Sequence, residues 1–197
     1  DSEVEQIDEV LNLLHQSTVN TELLNDRNGN SFAFARHGGM GRGSNVGDGV
    51  IHLTDAQFSP TLPMPLDIEY RKDGVTANDL LRGFVLHEIG HNWNGTQLGG
   101  TRWTDFQLLS GWTTTYVPHS KFIKAAEQDA WYLRNSAFVS SYATYGINED
   151  WAESFTAYFT QKAGWNFYYG NNAGPDGAGG APLKMALIDS WVKSLAA

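Results

Sequence analysis

The chain contains no cysteine, which excludes disulfides, thiolate metal sites and a cysteine nucleophile. At 197 residues it is long enough to bury a core without cross-links. Basic charge is scarce as well. Thirteen Lys and Arg stand against twenty-two Asp and Glu, a formal net charge of -9, and no basic run exists to neutralise a phosphate backbone or to dock on anionic lipid. The expected partner is a protein or peptide, with no nucleic acid and no membrane. No stretch approaches the roughly eighteen consecutive apolar residues of a membrane helix. The chain opens at Asp1 with neither Met nor a signal sequence, which suggests a processed or excised fragment; a secreted or extracellular location is expected, although the lack of cysteine leaves the compartment open. No internal repeat and no composition break appear, so the expectation is one domain over residues 1–197 and a monomer.

Aromatic residues are plentiful: seven Trp, eight Tyr and ten Phe supply a core. The pattern along the chain predicts an α+β fold with strands early and helices late. Val4 to Leu24 carries Val4, Ile7, Val10, Leu11 and Leu14 at helical spacing. Asp26 to Asn30 reads as a turn. It resembles the start of a calcium loop, but position 12 of such a loop would be His37 rather than an acid, so a plain turn is preferred. Ser31 to Arg36 and Gly49 to Thr54 read as strands, separated by a mobile glycine-rich loop, Gly38 to Gly49. Pro60, Pro63 and Pro65 mark another loop. Further on, Thr101 to Thr115 looks irregular, and Lys121 to Asn135 and Asn148 to Lys162 have helical patterns. Asn171 to Ala181 is glycine-rich and flexible, and Leu183 to Leu195 is an amphipathic helix that buries Met185, Leu187, Ile188, Trp191 and Val192.

The most informative residues are His87-Glu88-Ile89-Gly90-His91. A four-residue step on a helix turns about 400°, so the two imidazoles lie about 40° apart on one face, one turn from each other. One metal ion can take a nitrogen from each. Glu88 stands about 100° round from His87, placed to serve as general base to a water on that metal. Random order would produce H-E-x-x-H in about one shuffled chain in a hundred, so context has to support it. It does: Leu81, Phe84, Val85 and Ile89 mark a core-facing helix, Thr76 with Asp79 reads as its N-cap and capping box, and Asn94-Gly95 as its stop.

A catalytic zinc usually takes three protein ligands. A third histidine in H-E-x-x-H-x-x-G-x-x-H would need glycine at position 94 and histidine at 97, where the chain has Asn94 and Gln97. Asp105 and His119 are minor candidates. Glu149 is the better one. It shares a helix face with Glu153, four residues on, while Trp151 and Phe155 face the core. Paired carboxylates on a buried helix call for a counter-charge; the alternative is a solvated acidic face at a helix N-terminus.

His87 to His91, Phe106 to Trp112, Ser141-Tyr142-Ala143 and Glu149 to Phe155 together resemble the zincin metallopeptidases of the anthrax lethal factor type, within the glutamate-zincins. The resemblance covers roughly residues 75 to 160. It implies a zincin-like fold with a small N-terminal mixed sheet, an active-site helix and a helical C-terminal half. It also implies Zn2+ held by His87, His91 and Glu149, Glu88 as catalytic base, and Tyr142 as donor to the oxyanion, with Tyr145 as its competitor. Glu153 would fix a ligand histidine. The implied activity is zinc-dependent endopeptidase cleavage, with substrate pairing along Val50 to Leu53 and His52 a surface or pocket-lining residue. A catalytically silent binding or toxin-like module and a zinc amidase acting on non-protein amides are the alternatives.

Overall fold

The computed structural model describes residues 2–18, 21–26, 28–39, 43–45, 49–58, 75–116, 120–166 and 181–196. The sequence predicts a first helix reaching Leu24; α1 spans Ser2–Thr18, and a separate 3-10 turn follows at Glu22–Leu24. Asp26 then closes the predicted turn. Its Oδ1 accepts from the main-chain N–H groups of Asn28 and Asn30, both at 2.8 Å. That carboxylate is engaged within its own turn, as the turn reading expects.

Three strands form a mixed sheet: β1 (Ala33–His37), β2 (Ser44–Asn45) and β3 (Val50–Thr54), in the order β1-β3-β2. β1 runs parallel to β3 and β2 antiparallel to it. The glycine-rich stretch thus contains a strand, with residues 40–42 and 46–48 outside the described set. β3 is the central strand, so the expectation that Val50 to Leu53 offers a substrate-binding edge is corrected. Both of its sides are paired, and β2 is the edge on the side of the metal-motif helix. A single helical turn follows at Asp55–Phe58; the proline-rich loop predicted next lies outside the described residues.

Helix α2 (Ala77–Gly90) starts where its cap predicts. The Thr76 hydroxyl accepts from Asp79 N at 3.2 Å, and the Asp79 carboxylate accepts from Thr76 N at 2.9 Å. Such a cap contributes about 1 kcal/mol. Leu81, Val85, Leu86 and Ile89 are buried against α1, the sheet and a later helix. The helix tightens into a 3-10 turn at His91–Trp93, and Asn94 ends it in extended backbone.

Two expectations fail in the middle of the chain. Thr101 to Thr115 is not irregular: α3 occupies Arg102–Ser110 and stops at Gly111, whose φ of 60° places it in the left-handed region. Lys121 to Asn135 is not a helix but a hairpin, β4 (Phe122–Lys124) with β5 (Trp131–Leu133), Ile123 facing Tyr132. The helix formers Ala125 to Gln128 occupy only its connection, while the aromatic residues pair and bury Tyr132 against Trp112 and Phe138. The C-terminal half is therefore not purely helical.

Two long helices complete the chain. α4 (Ile147–Ala163) is buried on nearly every side, and α5 (Pro182–Leu195) packs on it. On α5, Ile188, Trp191 and Val192 are fully buried, whereas Met185 and Leu187 are only partly so. The glycine-rich segment predicted between them lies outside the described residues, except Ala181. No helix is long and apolar enough to cross a membrane among the described residues. The architecture is α+β.

Candidate metal centre

Helices α2 and α4 must approach closely for residues on both to share one ion. Gly90 permits it: a Cβ there would lie 3.2 Å from the Ala152 Cα and 3.3 Å from the Phe155 ring. The contact is fastened by Trp151, fully buried, whose indole N–H donates to the Gly90 carbonyl at 2.9 Å. Truncating such a tryptophan costs about 3–5 kcal/mol.

The consequence is a triangle of ligand atoms. His87 Nε2 and His91 Nε2 are 3.1 Å apart, and Glu149 Oε2 lies 3.2 Å from the first and 3.6 Å from the second. Zinc bonds of about 2.0–2.1 Å at tetrahedral angles separate two ligand atoms by about 3.3 Å. The three edges bracket that distance. Glu149 Oε2 is also buried with no donor in hydrogen-bond geometry, which is costly for a carboxylate oxygen unless a cation meets it. Two imidazoles and a carboxylate form a donor set that suits zinc, so the residues present fit the ion that the resemblance implies. Among the described residues this is the one group of three or more ligating side chains close enough to hold a metal.

The surrounding charges point the same way. Glu153, fully buried, accepts from His87 Nδ1 at 2.6 Å, so Glu149 and Glu153 face opposite nitrogens of one imidazole. That bond holds the Nδ1 proton and leaves Nε2 turned toward Glu149 and His91. Burial works against a charged His87, but the Glu149 and Glu153 carboxylates outweigh it and raise its pKa well above the ordinary value. Burial likewise pushes Glu149 up, yet His87, His91 and Tyr142 prevail and hold it below the usual carboxylate range. Glu88 is different: burial raises its pKa, and the neighbouring carboxylates Glu149 and Glu153 add to the rise. Among the described residues no lysine or arginine pairs with Glu88, Glu149 or Glu153.

Of the two candidate tyrosines, Tyr142 stands against the site. Its ring centroid is 5.8 Å from that of His87, and its hydroxyl hydrogen-bonds Glu149. Tyr145 packs on Tyr142 with centroids 5.0 Å apart. Asp105 is not brought in; it accepts from the Thr101 hydroxyl on α3. His119 lies outside the described residues. His52 sits on β3 with its Nδ1 2.8 Å from Nε2 of His37, away from the triangle.

Three contributors escaped the sequence reading. Asn45, on β2, grips Glu88 twice: its Nδ2 donates to the Glu88 carbonyl at 2.7 Å, and its main-chain N–H bonds the carboxylate. Ser140 donates to Glu153 Oε2 at 2.6 Å. Lys184 forms a wholly buried ion pair with Asp150, the residue after Glu149, at 2.6 Å. Only Lys184 left a trace in the sequence, since it occupies the same helical stripe as Ile188, Trp191 and Val192. Comparison with known proteins finds no matching family model, no matching curated protein and no matching solved structure.

Proposed function

We propose that this chain is a zinc-dependent metalloendopeptidase with a zincin-like fold, holding Zn2+ through His87, His91 and Glu149. The observation that carries the reading is the ligand triangle with edges of 3.1, 3.2 and 3.6 Å beside a buried Glu88 whose pKa is raised. A binding module has no use for a base at that position.

Zinc held there supplies Lewis-acid polarisation of a carbonyl and a lowered pKa for water. Everything else falls to the chain. Glu88 takes the proton of the attacking water and afterwards returns it to the leaving amine. The Tyr142 phenol donates to the developing oxyanion, an interaction worth about 2.7–4 kcal/mol for comparable donors. Glu153 keeps the His87 ring oriented. An extended peptide would pair with β2, the edge strand that Asn45 ties to Glu88, so that main-chain hydrogen bonds supply affinity and set the scissile bond near the base.

The test is cleavage of casein, an unstructured protein, by the wild type and by Glu88→Ala, with zinc content measured on both. The expected result is equal zinc and turnover at least about 100-fold lower in the variant. Stoichiometric zinc with no cleavage by either protein, extended to a peptide library, would refute the peptidase reading.

A further inference from the structure

Glu153 reaches His87 with one oxygen; its other oxygen and the turn bearing Tyr142 are held by the same hydroxyl. Ser140 Oγ donates to Glu153 Oε2 at 2.6 Å and accepts from the main-chain N–H of Ala143 at 3.0 Å. Ala143 is the middle residue of the 3-10 turn Tyr142–Thr144, so Ser140 caps the turn that presents the tyrosine. Ser140 itself cannot drift. It is 1% exposed and follows Phe138 and Val139, which are 0% and 2% exposed in the second cluster of core side chains. A continuous path thus runs from His87 Nδ1 through Glu153 and Ser140 to the Tyr142 turn, every hydrogen bond in it being buried.

We propose that Ser140 is a positioning residue that fixes two groups of the site at once, the His87 imidazole through Glu153 and the Tyr142 phenol through the Ala143 N–H. This rests on the metallopeptidase reading. With one oxygen on His87 Nδ1 and the other on Ser140, Glu153 is held at both ends, and His87 Nε2 faces Glu149. Removing the hydroxyl frees Glu153 Oε2 in a dry site and leaves the Ala143 N–H without its acceptor, so both the ring and the turn lose their fixed places. A serine that merely capped a turn would influence stability but not the metal.

Zinc affinity by competition with a chromophoric chelator, the visible spectrum of the Co2+-substituted protein, thermal midpoint and casein turnover are to be measured for the wild type, Ser140→Ala, Ser140→Thr and Ser136→Ala. Ser136 is the control: it is also buried, and its hydroxyl donates to the Ser110 carbonyl at 2.8 Å rather than to Glu153 or to the Tyr142 turn. Ser140→Ala should bind zinc about 10–100-fold more weakly, as loss of an outer support of a ligand histidine does. It should also shift the cobalt bands and, at saturating zinc, lower kcat with little change in KM. Ser140→Thr, which keeps the hydroxyl, should recover affinity and spectrum, and Ser136→Ala should match the wild type in both even if its midpoint falls. Should Ser140→Ala fail to fold, Ser140→Cys, of similar volume but a weak donor, carries the same expectation. Wild-type affinity and spectrum in Ser140→Ala, or equal defects in Ser136→Ala, would overturn the proposal. Wild-type protein that binds zinc but cleaves nothing would remove the peptidase reading alone, with Ser140 judged on affinity and spectrum; wild-type protein that binds no metal would overturn both.

Discussion

Glu149 and Asp150 are neighbours in the first turn of α4, and their surroundings are opposite. Asp150 is satisfied from within: Lys184 donates to its two oxygens at 2.6 and 2.7 Å, Trp112 Nε1 at 2.8 Å and Ser110 Oγ at 3.2 Å complete the shell, and the ammonium lies 4.2 Å from the Phe138 ring centroid. Burial draws the Asp150 pKa up and that of Lys184 down, and their direct bonds oppose both shifts. Among the described residues Glu149 pairs with no lysine or arginine. Its Oε2 faces two imidazole nitrogens and, among the described residues, meets no donor in hydrogen-bond geometry. Where the chain needed a structural charge pair it encoded both partners; around Glu149 it encoded three carboxylates and two histidines with, among the described residues, no lysine or arginine, a group that could hold a metal ion. The contrast separates a pair that holds the fold from a group to which the proposed function assigns the metal.

The largest effect expected is on the open side of this pair. Glu149→Ala should lose most of its zinc, by more than the 10–100-fold that loss of an outer-shell partner typically costs, while the fold persists. Metal analysis after gel filtration, with circular dichroism, checks this. Zinc retained in full would redirect the search for the third ligand to His119. The closed side should respond in the reverse sense. Lys184→Met leaves a buried Asp150 charge unpaired and should cost about 3–5 kcal/mol in urea denaturation, with zinc stoichiometry unchanged in the folded fraction. Replacing both partners, as Asp150→Leu with Lys184→Met, should recover much of that loss. A double variant no more stable than the single one would mean that the hydrogen bonds from Trp112 and Ser110, not the charge, anchor the helix start.

What could be read from sequence was what is local. The H-E-x-x-H helix, its Thr76 cap and the four-residue step from Glu149 to Glu153 are all set within one or two turns, and the structure has them where their spacing places them. The hairpin at 122–133 was invisible because its strands are three residues long, too short for alternation, and the packing that selects it comes from Trp112 and Phe138. Its connection has a role no local pattern announces: Gln128 accepts from Ile147 N at 2.9 Å and Glu127 N donates to Tyr145 O at 3.0 Å, which fixes the start of α4. β2 was hidden for a similar reason, being two residues in a glycine-rich run. α3 was missed because its apolar residues form no single stripe; Leu108 is 67% exposed while Phe106 is fully buried.

Tyr142→Phe probes whether the open site is catalytic or only a metal trap. The change keeps the ring beside His87 and removes the hydroxyl that bonds Glu149, so zinc affinity should weaken while, at saturating zinc, kcat falls about 10²–10³-fold, as for loss of other oxyanion donors. Turnover measured at saturating zinc, beside Tyr145→Phe as control, decides it. Equal losses in the two variants would show that the pair acts through packing rather than through the Tyr142 hydroxyl.

The smallest effect belongs to Asn45, where the sheet meets the metal helix. Its side chain and its main chain both hold Glu88, but Asn45→Ala removes the side-chain bond to the carbonyl and leaves the β2 N–H on the carboxylate. The residual bond should keep the base in reach, so the expected loss is about 1–1.5 kcal/mol, roughly tenfold in kcat/KM. Zinc content should not change, because the bond removed goes to the Glu88 carbonyl and not to a ligand side chain. The double variant separates two routes by which Asn45 can act. If it works through Glu88, adding Asn45→Ala to Glu88→Ala costs nothing further; if it works by holding β2 for the substrate, the loss persists as a raised KM in the residual activity. The first outcome makes the strand a support for the base, and the second makes it the peptide's docking edge.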